Sequence, residues 1–248
     1  MNKSLPYTKI PYADRLWSIT TGCTPCSEGC RNCWAQALLR RFPVMGGTEV
    51  KLWPNRLSQP AHTRKPSVVF VAPAGDLFHE EVPLTFRLEV IKTMRATPEH
   101  VFIVLTKRPE RMRETMCCLS EIGSNVWAGV SVEDQATADE RVPLLLESGW
   151  PNLWVSAEPL LGEVSLKPWL DRISWVVDGC EGGAGARPCD QDWQHDLATE
   201  CRAAGVTHYS KQHRWSTADV APGYGEIVRP PPTPEDLPFR LAKWGPAE

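Results

Sequence analysis

No stretch of this chain approaches the roughly 18 consecutive apolar residues that a bilayer-spanning helix needs. The opening MNKSLPYTKIPYADR also lacks the apolar core of a secretory signal. A cytoplasmic location with no membrane partner is therefore expected. An excess of basic charge is missing too: 27 Lys and Arg stand against 30 Asp and Glu, for a formal net charge of -3. That excludes a surface that is basic everywhere, although a local positive groove is compatible with the sum. Internal repeats are absent, which sets aside a repeat architecture. The one low-complexity stretch is Arg229 through Pro234, whose prolines cannot continue a helix or a central strand. Residues 229–248 accordingly read as a proline-rich tail strapped along the surface.

What is present is an ordinary globular composition. The 248 residues are 42% hydrophobic and 23% charged, enough for one large domain over 1–248 with a full core. Short β-branched runs alternate with stretches of helical period, the pattern of βα units around a parallel sheet. Strands are predicted over 16–20, 68–72, 101–106, 126–130, 153–157, 175–178 and 207–210. Most are apolar throughout, as strands covered on both faces must be. Helices are predicted over 85–96, 109–119, 135–147 and 191–204. Asp134 and Asp190 occupy capping positions, and Gly205 stands where a C-terminal glycine cap belongs. Seven such steps favour an α/β fold, a complete or partial (β/α) TIM-like barrel, over an open doubly wound sheet.

In such barrels chemistry gathers where loops leave the C-terminal ends of the strands. Polar residues recur at that place: Asp76, then Thr106 with Lys107 and Arg108, Ser131 with Glu133, Glu158, Asp178 with Glu181, and Lys211 with Gln212. Any one of these is as well explained by a helix cap or a surface charge. Their recurrence at one topological position is what points to a site.

Nine cysteines in a reducing compartment are expected to be thiols or metal ligands rather than disulfides. Cys23, Cys26, Cys30 and Cys33 lie in one loop, directly after the first predicted strand and before a helix beginning near Ala35. Thiolates bind soft metals and iron-sulfur clusters, and a loop bent at Gly22, Pro25 and Gly29 can aim several sulfurs at a common centre. Structural zinc usually takes two knuckles a dozen or more residues apart, so the short gap between the two pairs leaves zinc cramped. A 4Fe-4S cluster is the favoured occupant. Two triads overlap in the loop. Cys26, Cys30 and Cys33 give C-x3-C-x2-C, the spacing of the radical S-adenosylmethionine (AdoMet) enzymes; Cys23, Cys30 and Cys33 give C-x6-C-x2-C. Three protein ligands leave one iron open to AdoMet or substrate, whereas an electron carrier normally takes four cysteines. The count of four leaves both readings open. Cys117, Cys118, Cys180, Cys189 and Cys201 are scattered and read as small core residues.

Almost the whole chain resembles a phage-associated radical-AdoMet-like family with a three-cysteine motif, a domain of unknown function found in phages and prophages. The blocks that carry the resemblance include Thr21-Gly22-Cys23, Gly29-Cys30 with Cys33, residues 76–80 (DLFHE), residues 105–112 (LTKRPERM), residues 129–133 (GVSVE), Asp139-Glu140-Arg141, residues 156–162 (SAEPLLG), residues 185–188 (GARP) and Lys211-Gln212. The family motif maps onto Cys23, Cys30 and Cys33, which makes Cys26 the extra cysteine. Two further departures stand out: Asn32 occupies the position before the last cysteine that is usually aromatic in radical-AdoMet enzymes, and Cys180 interrupts the family's G-G-E-S-G-like block.

The resemblance implies hydrogen-atom abstraction by a radical made from AdoMet, on a nucleic acid or nucleotide, with electrons from a donor such as flavodoxin or ferredoxin. Lys107, Arg108, Glu133 and Glu158 are then candidate catalytic groups. Asp76, Ser131, Gly179, Glu181, Arg187 and Lys211, with His79 and Glu80 nearby, would line the mouth and hold the cofactor. Arg108 and Arg187 can grip phosphate or carboxylate through two parallel bonds, or instead form structural salt bridges to Glu133 or Glu158. Trp17, Trp127, Trp154 and Trp175 read as core, while Trp34, Trp53 and Trp215 are freer to stack on bases. Two rival readings remain: a non-catalytic iron-sulfur or zinc-binding redox or partner protein, and a metal-free barrel hydrolase using Glu133 and Glu158.

Overall fold

The computed structural model describes residues 4–43, 47–119, 121–183 and 185–211. Gln212, Trp215 and the expected tail over 229–248 lie outside the described residues. The strands are β1 (Arg15–Trp17), β2 (Thr20–Thr21), β3 (Lys51–Leu52), β4 (Val68–Val71), β5 (Val101–Thr106), β6 (Val126–Val132), β7 (Asn152–Ala157), β8 (Trp175–Asp178) and β9 (Thr207–Ser210). The helices are α1 (Trp34–Arg41), α2 (Leu84–Arg95), α3 (Pro109–Met116), α4 (Gln135–Leu146) and α5 (Gln191–Ala204).

Seven strands form one sheet in the order β1-β4-β5-β6-β7-β8-β9, parallel throughout. Strand order follows chain order, so every crossover runs the same way around the sheet. Side-chain alternation divides the core in two. Val69, Val71, Val104, Ala128, Val130, Val155 and Val176 face the helices. Phe70, Ile103, Trp127, Trp154, Trp175, Val177 and Tyr209 share the opposite face with Tyr12. The Tyr12 ring lies 6.2 Å from Phe70 on β4 and 6.1 Å from Tyr209 on β9. Five strand spacings of about 4.8 Å would separate those strands by roughly 24 Å in a flat sheet. One ring can touch both only because the sheet curls around it. No pairing joins β1 to β9 among the described residues, so the sheet is curved and closure into a complete barrel is not seen.

The concave face is filled by aromatic rings. Trp154 and Trp175 stack at 4.5 Å, and the Trp154 indole donates to the Val104 carbonyl at 3.2 Å. Gly129, paired in register with Trp154, makes the room: a Cβ there would sit 2.4 Å from the indole. The four tryptophans expected in the core are at most 3% exposed.

Three expectations need correction. The first predicted strand is broken, because the chain turns between Trp17 and Ile19 and Arg56 binds the Ser18 carbonyl at 2.7 Å. Thr20 and Thr21 then pair antiparallel with Leu52 and Lys51, a ribbon that carries the cysteine loop. The scattered cysteines do not all fill core: Cys201 is buried, but Cys117 and Cys118 are exposed at the end of α3, and Cys180 and Cys189 are half-buried. Trp53 is not free for stacking, since it donates to Thr21 at 2.9 Å and lies beneath the Arg56 guanidinium.

The caps agree with the sequence. Asp134 accepts from Thr137 N–H in a reciprocal capping box, Asp190 accepts from Asp192 N–H, and Gly205 closes α5 in the left-handed conformation.

Candidate functional site

All seven strands of the main sheet point their C-terminal ends at one rim, and most of the described polar residues picked out in the sequence stand on it. They form four groups, three of which grip the cysteine loop.

The first group is built on Arg108. Its guanidinium donates to Asp76 at 3.1 Å, to Glu80 at 2.8 Å, to the Thr24 carbonyl at 3.1 Å and to Cys23 Sγ at 3.6 Å. Thr106 donates to both Asp76 oxygens at 2.8 and 2.9 Å, fixing the carboxylate that fixes the arginine. His79, buried beside them, accepts from Glu81 N–H on Nδ1 and meets Thr24 Oγ1 with Nε2 at 2.7 Å. Burial and the neighbouring Arg108 charge lower the His79 pKa. Burial works against the arginine's own charge, but Glu80, Asp76 and the thiols outweigh it and raise its pKa.

Glu133, 1% exposed, centres the second group. It is bound by Lys107, by Arg141 at 3.1 and 3.3 Å, and by Ser27 of the cysteine loop at 2.8 Å. Burial pushes its carboxyl upward, and the charges of Lys107 and Arg141 overcome that, leaving it below the usual range. Gly29 permits the approach: a Cβ there would lie 2.4 Å from the Glu133 side chain.

The third group joins Arg187 to Glu181 through Nε at 3.1 Å and the backbone N–H at 2.9 Å. Asn32 donates to the same Glu181 oxygen at 2.8 Å, and Arg187 reaches the Glu28 carbonyl at 2.9 Å. Arg187, aided by Asn32, lowers the Glu181 pKa to about 2 from an ordinary 4.5. A carboxylate with a depressed folded pKa stabilises fully above its unfolded value and loses that contribution as pH falls through the folded one. Wild type should therefore exceed Glu181→Gln in urea midpoint at pH 6, with the gap shrinking toward pH 2. An equal gap at pH 6 and pH 3 would refute the pairing.

In the fourth group Lys211 binds Glu158 at 3.0 Å and Ser156 donates to it at 3.1 Å. No hydrogen bond or ion pair joins this group to the cysteine loop among the described residues. Ser131 is buried on the concave side of β6, its carbonyl accepting from Arg141 at 2.7 Å. Gly179 follows β8 and accepts from Leu160 N–H at 2.9 Å. Asp178 turns to the helix side instead, where His208 and Ser210 hold it at 2.6 Å each, together with Gln194; it ties β8 and β9 to α5.

Arg108 and Arg187 do form salt bridges, the alternative to gripping a ligand, but with acids other than Glu133 or Glu158. Arg108 takes Asp76 and Glu80, Arg187 takes Glu181 and Glu28, and Glu133 goes to Lys107 and Arg141. Arg141 was not among the expected site residues. Its signal was legible: on α4 it falls on the buried stripe of Ala138, Val142 and Leu145, where a charge needs a partner.

All four loop cysteines are free of disulfides. Gln36 of α1 donates to the Cys23 carbonyl, fastening the loop from a further side. A hydrogen bond from Cys26, helped by the Lys107 charge, lowers the Cys30 pKa to about 4 and raises that of Cys26, while burial lifts Cys23 to about 11. In kind and place these thiols fit an iron-sulfur cluster: soft donors, reduced, on one fastened loop at the strand ends. In closeness they do not yet form one. No group of three or more Cys, His, Asp or Glu side chains among the described residues is gathered to hold a metal. No described helix is long and apolar enough to cross a membrane.

Solved structures of a spore photoproduct lyase share the fold. The lyase complexed with dinucleoside spore photoproduct superposes with a TM-score of 0.58 at 12% identity, over 84% of this chain and 78% of that one. A doubly substituted form with bound AdoMet and dinucleoside spore photoproduct gives 0.58 at 11% identity, with the same coverage. Identity this low carries the fold alone. No curated protein matches the chain. Residues 7–228 match the family described as "Protein of unknown function (DUF5131)", and the chain belongs to that family.

Proposed function

We propose that this protein is a radical-AdoMet-like enzyme that abstracts a hydrogen atom from a nucleotide or nucleic acid. The observation that carries the proposal is the four-thiol loop at the C-terminal rim of a curved parallel sheet, clasped by Arg108, Glu133 and Arg187. The fold shared with a lyase whose structures contain AdoMet and a dinucleoside supports it.

Cys23, Cys30 and Cys33 would hold a 4Fe-4S cluster, with Cys26 beside Cys30 as the alternative to Cys23. Ligand thiolates need not be preassembled, because metal binding supplies free energy that gathers a loop. The chemistry such a cluster would supply there is one-electron reductive cleavage of AdoMet to methionine and a 5'-deoxyadenosyl radical, the electron coming from a flavodoxin- or ferredoxin-like donor. The chain's own part is orientation and exclusion of water. Arg108 fixes the loop's start, Ser27 and Glu133 its middle, and Asn32 with Glu181 its end. The Trp154–Trp175 stack and Tyr12 fill the concave face with packed rings that leave no room for water there. Nine thiols, none in a disulfide, suit a reducing compartment such as the cytoplasm.

The carboxylates give no support to a metal-free hydrolase. Glu133 is sealed between two cations, and Glu158 is held by Lys211.

Anaerobically reconstituted protein should bind about four iron and four sulfide per chain and form 5'-deoxyadenosine from AdoMet and dithionite. Cys30→Ala should abolish both, and comparison of Cys23→Ala with Cys26→Ala names the third ligand. Reconstituted protein that stays iron-free, or that carries the cluster and never cleaves AdoMet, overturns the proposal.

A further inference from the structure

Few large apolar side chains are left on the surface among the described residues. Among the described residues the exposed large hydrophobics are Tyr7, Trp34 and Phe42, at 70, 55 and 43% exposure. Two of the three bracket one helix, α1, which begins directly after Cys33.

The helix buries Gln36 and Leu39. Trp34, Leu38 and Arg41 stand at i, i+4 and i+7, so they share the outward stripe, and Phe42 follows at the helix end with the Arg41 guanidinium 5.4 Å from its ring centroid. Charge on this segment is one-sided. From Gly29 to Thr48 the sequence holds Arg31, Arg40 and Arg41 and no acidic residue, in a chain whose net charge is negative. None of the three guanidiniums has an ion pair among the described residues, whereas Arg87, Arg95, Arg108, Arg113, Arg141 and Arg187 all have one.

We propose that the outer face of α1 is a docking track for a single-stranded polynucleotide, with Trp34 stacking a base and Arg31, Arg40 and Arg41 meeting phosphates. Charge complementarity selects this occupant. A purely apolar partner would leave three arginines uncompensated, while a polyanion with flat bases satisfies both halves of the surface. Position adds to the case. Asn32, two residues before Trp34, bonds to Glu181 and to the Gly185 carbonyl at the rim, so a strand laid on α1 passes the edge of the cysteine loop. The proposal rests on the function proposed above for the meaning of that placement, but binding itself requires neither iron nor AdoMet.

The test uses the full chain, metal-free, with fluorescein-labelled oligothymidylate about 15 nucleotides long and the matching oligouridylate, read by anisotropy. Wild type should bind at low salt. Trp34→Ala should weaken binding about 5- to 150-fold, the loss of one base stack. Arg40→Gln with Arg41→Gln should flatten the slope of log affinity against log salt by about 1.4. Lys92→Gln, exposed on α2, should change neither. The two oligonucleotides separate a DNA from an RNA preference. Both Trp34 and the arginines are exposed, so thermal melts should match wild type. Absence of binding by wild type overturns the proposal, as does binding that Trp34→Ala and the double arginine variant leave unchanged. A chain that binds the oligonucleotides yet never cleaves AdoMet would sink the radical reading and leave this one standing.

Discussion

Replacing Glu133 with alanine should lower the unfolding free energy by about 3–5 kcal/mol, the cost of leaving a buried charge without its counter-ion. At 2–4 °C per kcal/mol for a chain of this size, Tm should fall by roughly 6–20 °C. The size of the effect follows from where the partners lie. Arg141 is 5% and Glu133 1% exposed at the side chain, so water cannot take the carboxylate's place, and Lys107 and Ser27 lose the same acceptor. Glu133→Gln keeps the shape and one acceptor oxygen and should cost less. Acid distinguishes the two effects. Because the Glu133 pKa is depressed in the folded protein, its contribution is complete above the unfolded value and is withdrawn as pH falls through the folded one. The gap between wild type and Glu133→Gln should therefore narrow in acid. Urea titrations at neutral and acidic pH check both statements; an alanine variant within about 1 kcal/mol of wild type would show that the buried pairs break even against their desolvation.

The sheet was legible because strands buried on both faces are written as unbroken apolar runs. Val101 through Thr106 and Trp175 through Asp178 appear with the bounds read from sequence, and Val126 through Val130 falls short because pairing of Ser131 with Ser156 and of Val132 with Ala157 extends β6. The break after Trp17 was not legible. It depends on Arg56 reaching the Ser18 carbonyl from 38 residues away, and periodicity carries no trace of so distant a tether. The same holds at the rim. Recurrence at strand ends marked Asp76, Lys107, Arg108, Glu133, Glu158, Glu181 and Lys211 as a group, yet partner choice is settled by the curl of the sheet. A string of residues shows that Arg108 and Glu133 share a rim; it does not show that Arg108 turns to Asp76 while Glu133 is taken by a helix residue. Cys117 and Cys118 show the limit of composition, since a residue type that is usually buried is exposed here at a helix end.

Arg108→Lys should loosen the cysteine loop while leaving the sheet intact. A guanidinium presents five N–H donors in a planar fork, whereas an ammonium is a point charge on a flexible stem. In this protein the fork reaches Asp76, Glu80, the Thr24 carbonyl and hydroxyl, and Cys23 Sγ at once. A lysine can neutralise Asp76 and still fail to hold Thr24. Amides of residues 22–33 should then exchange with deuterium about tenfold faster, equivalent to about 1.4 kcal/mol of lost local stability, while those of β6 and β7 keep their protection. Reconstituted Arg108→Lys should retain less iron for the same reason, since the sulfurs must be drawn together from a wider ensemble. Arg108→Ala should go further, because Asp76 is 7% exposed at the side chain and would keep only Thr106 as a side-chain donor. If exchange in Arg108→Lys rises equally in the loop and in β6, the arginine is a general strut of the fold and not the clasp of the loop.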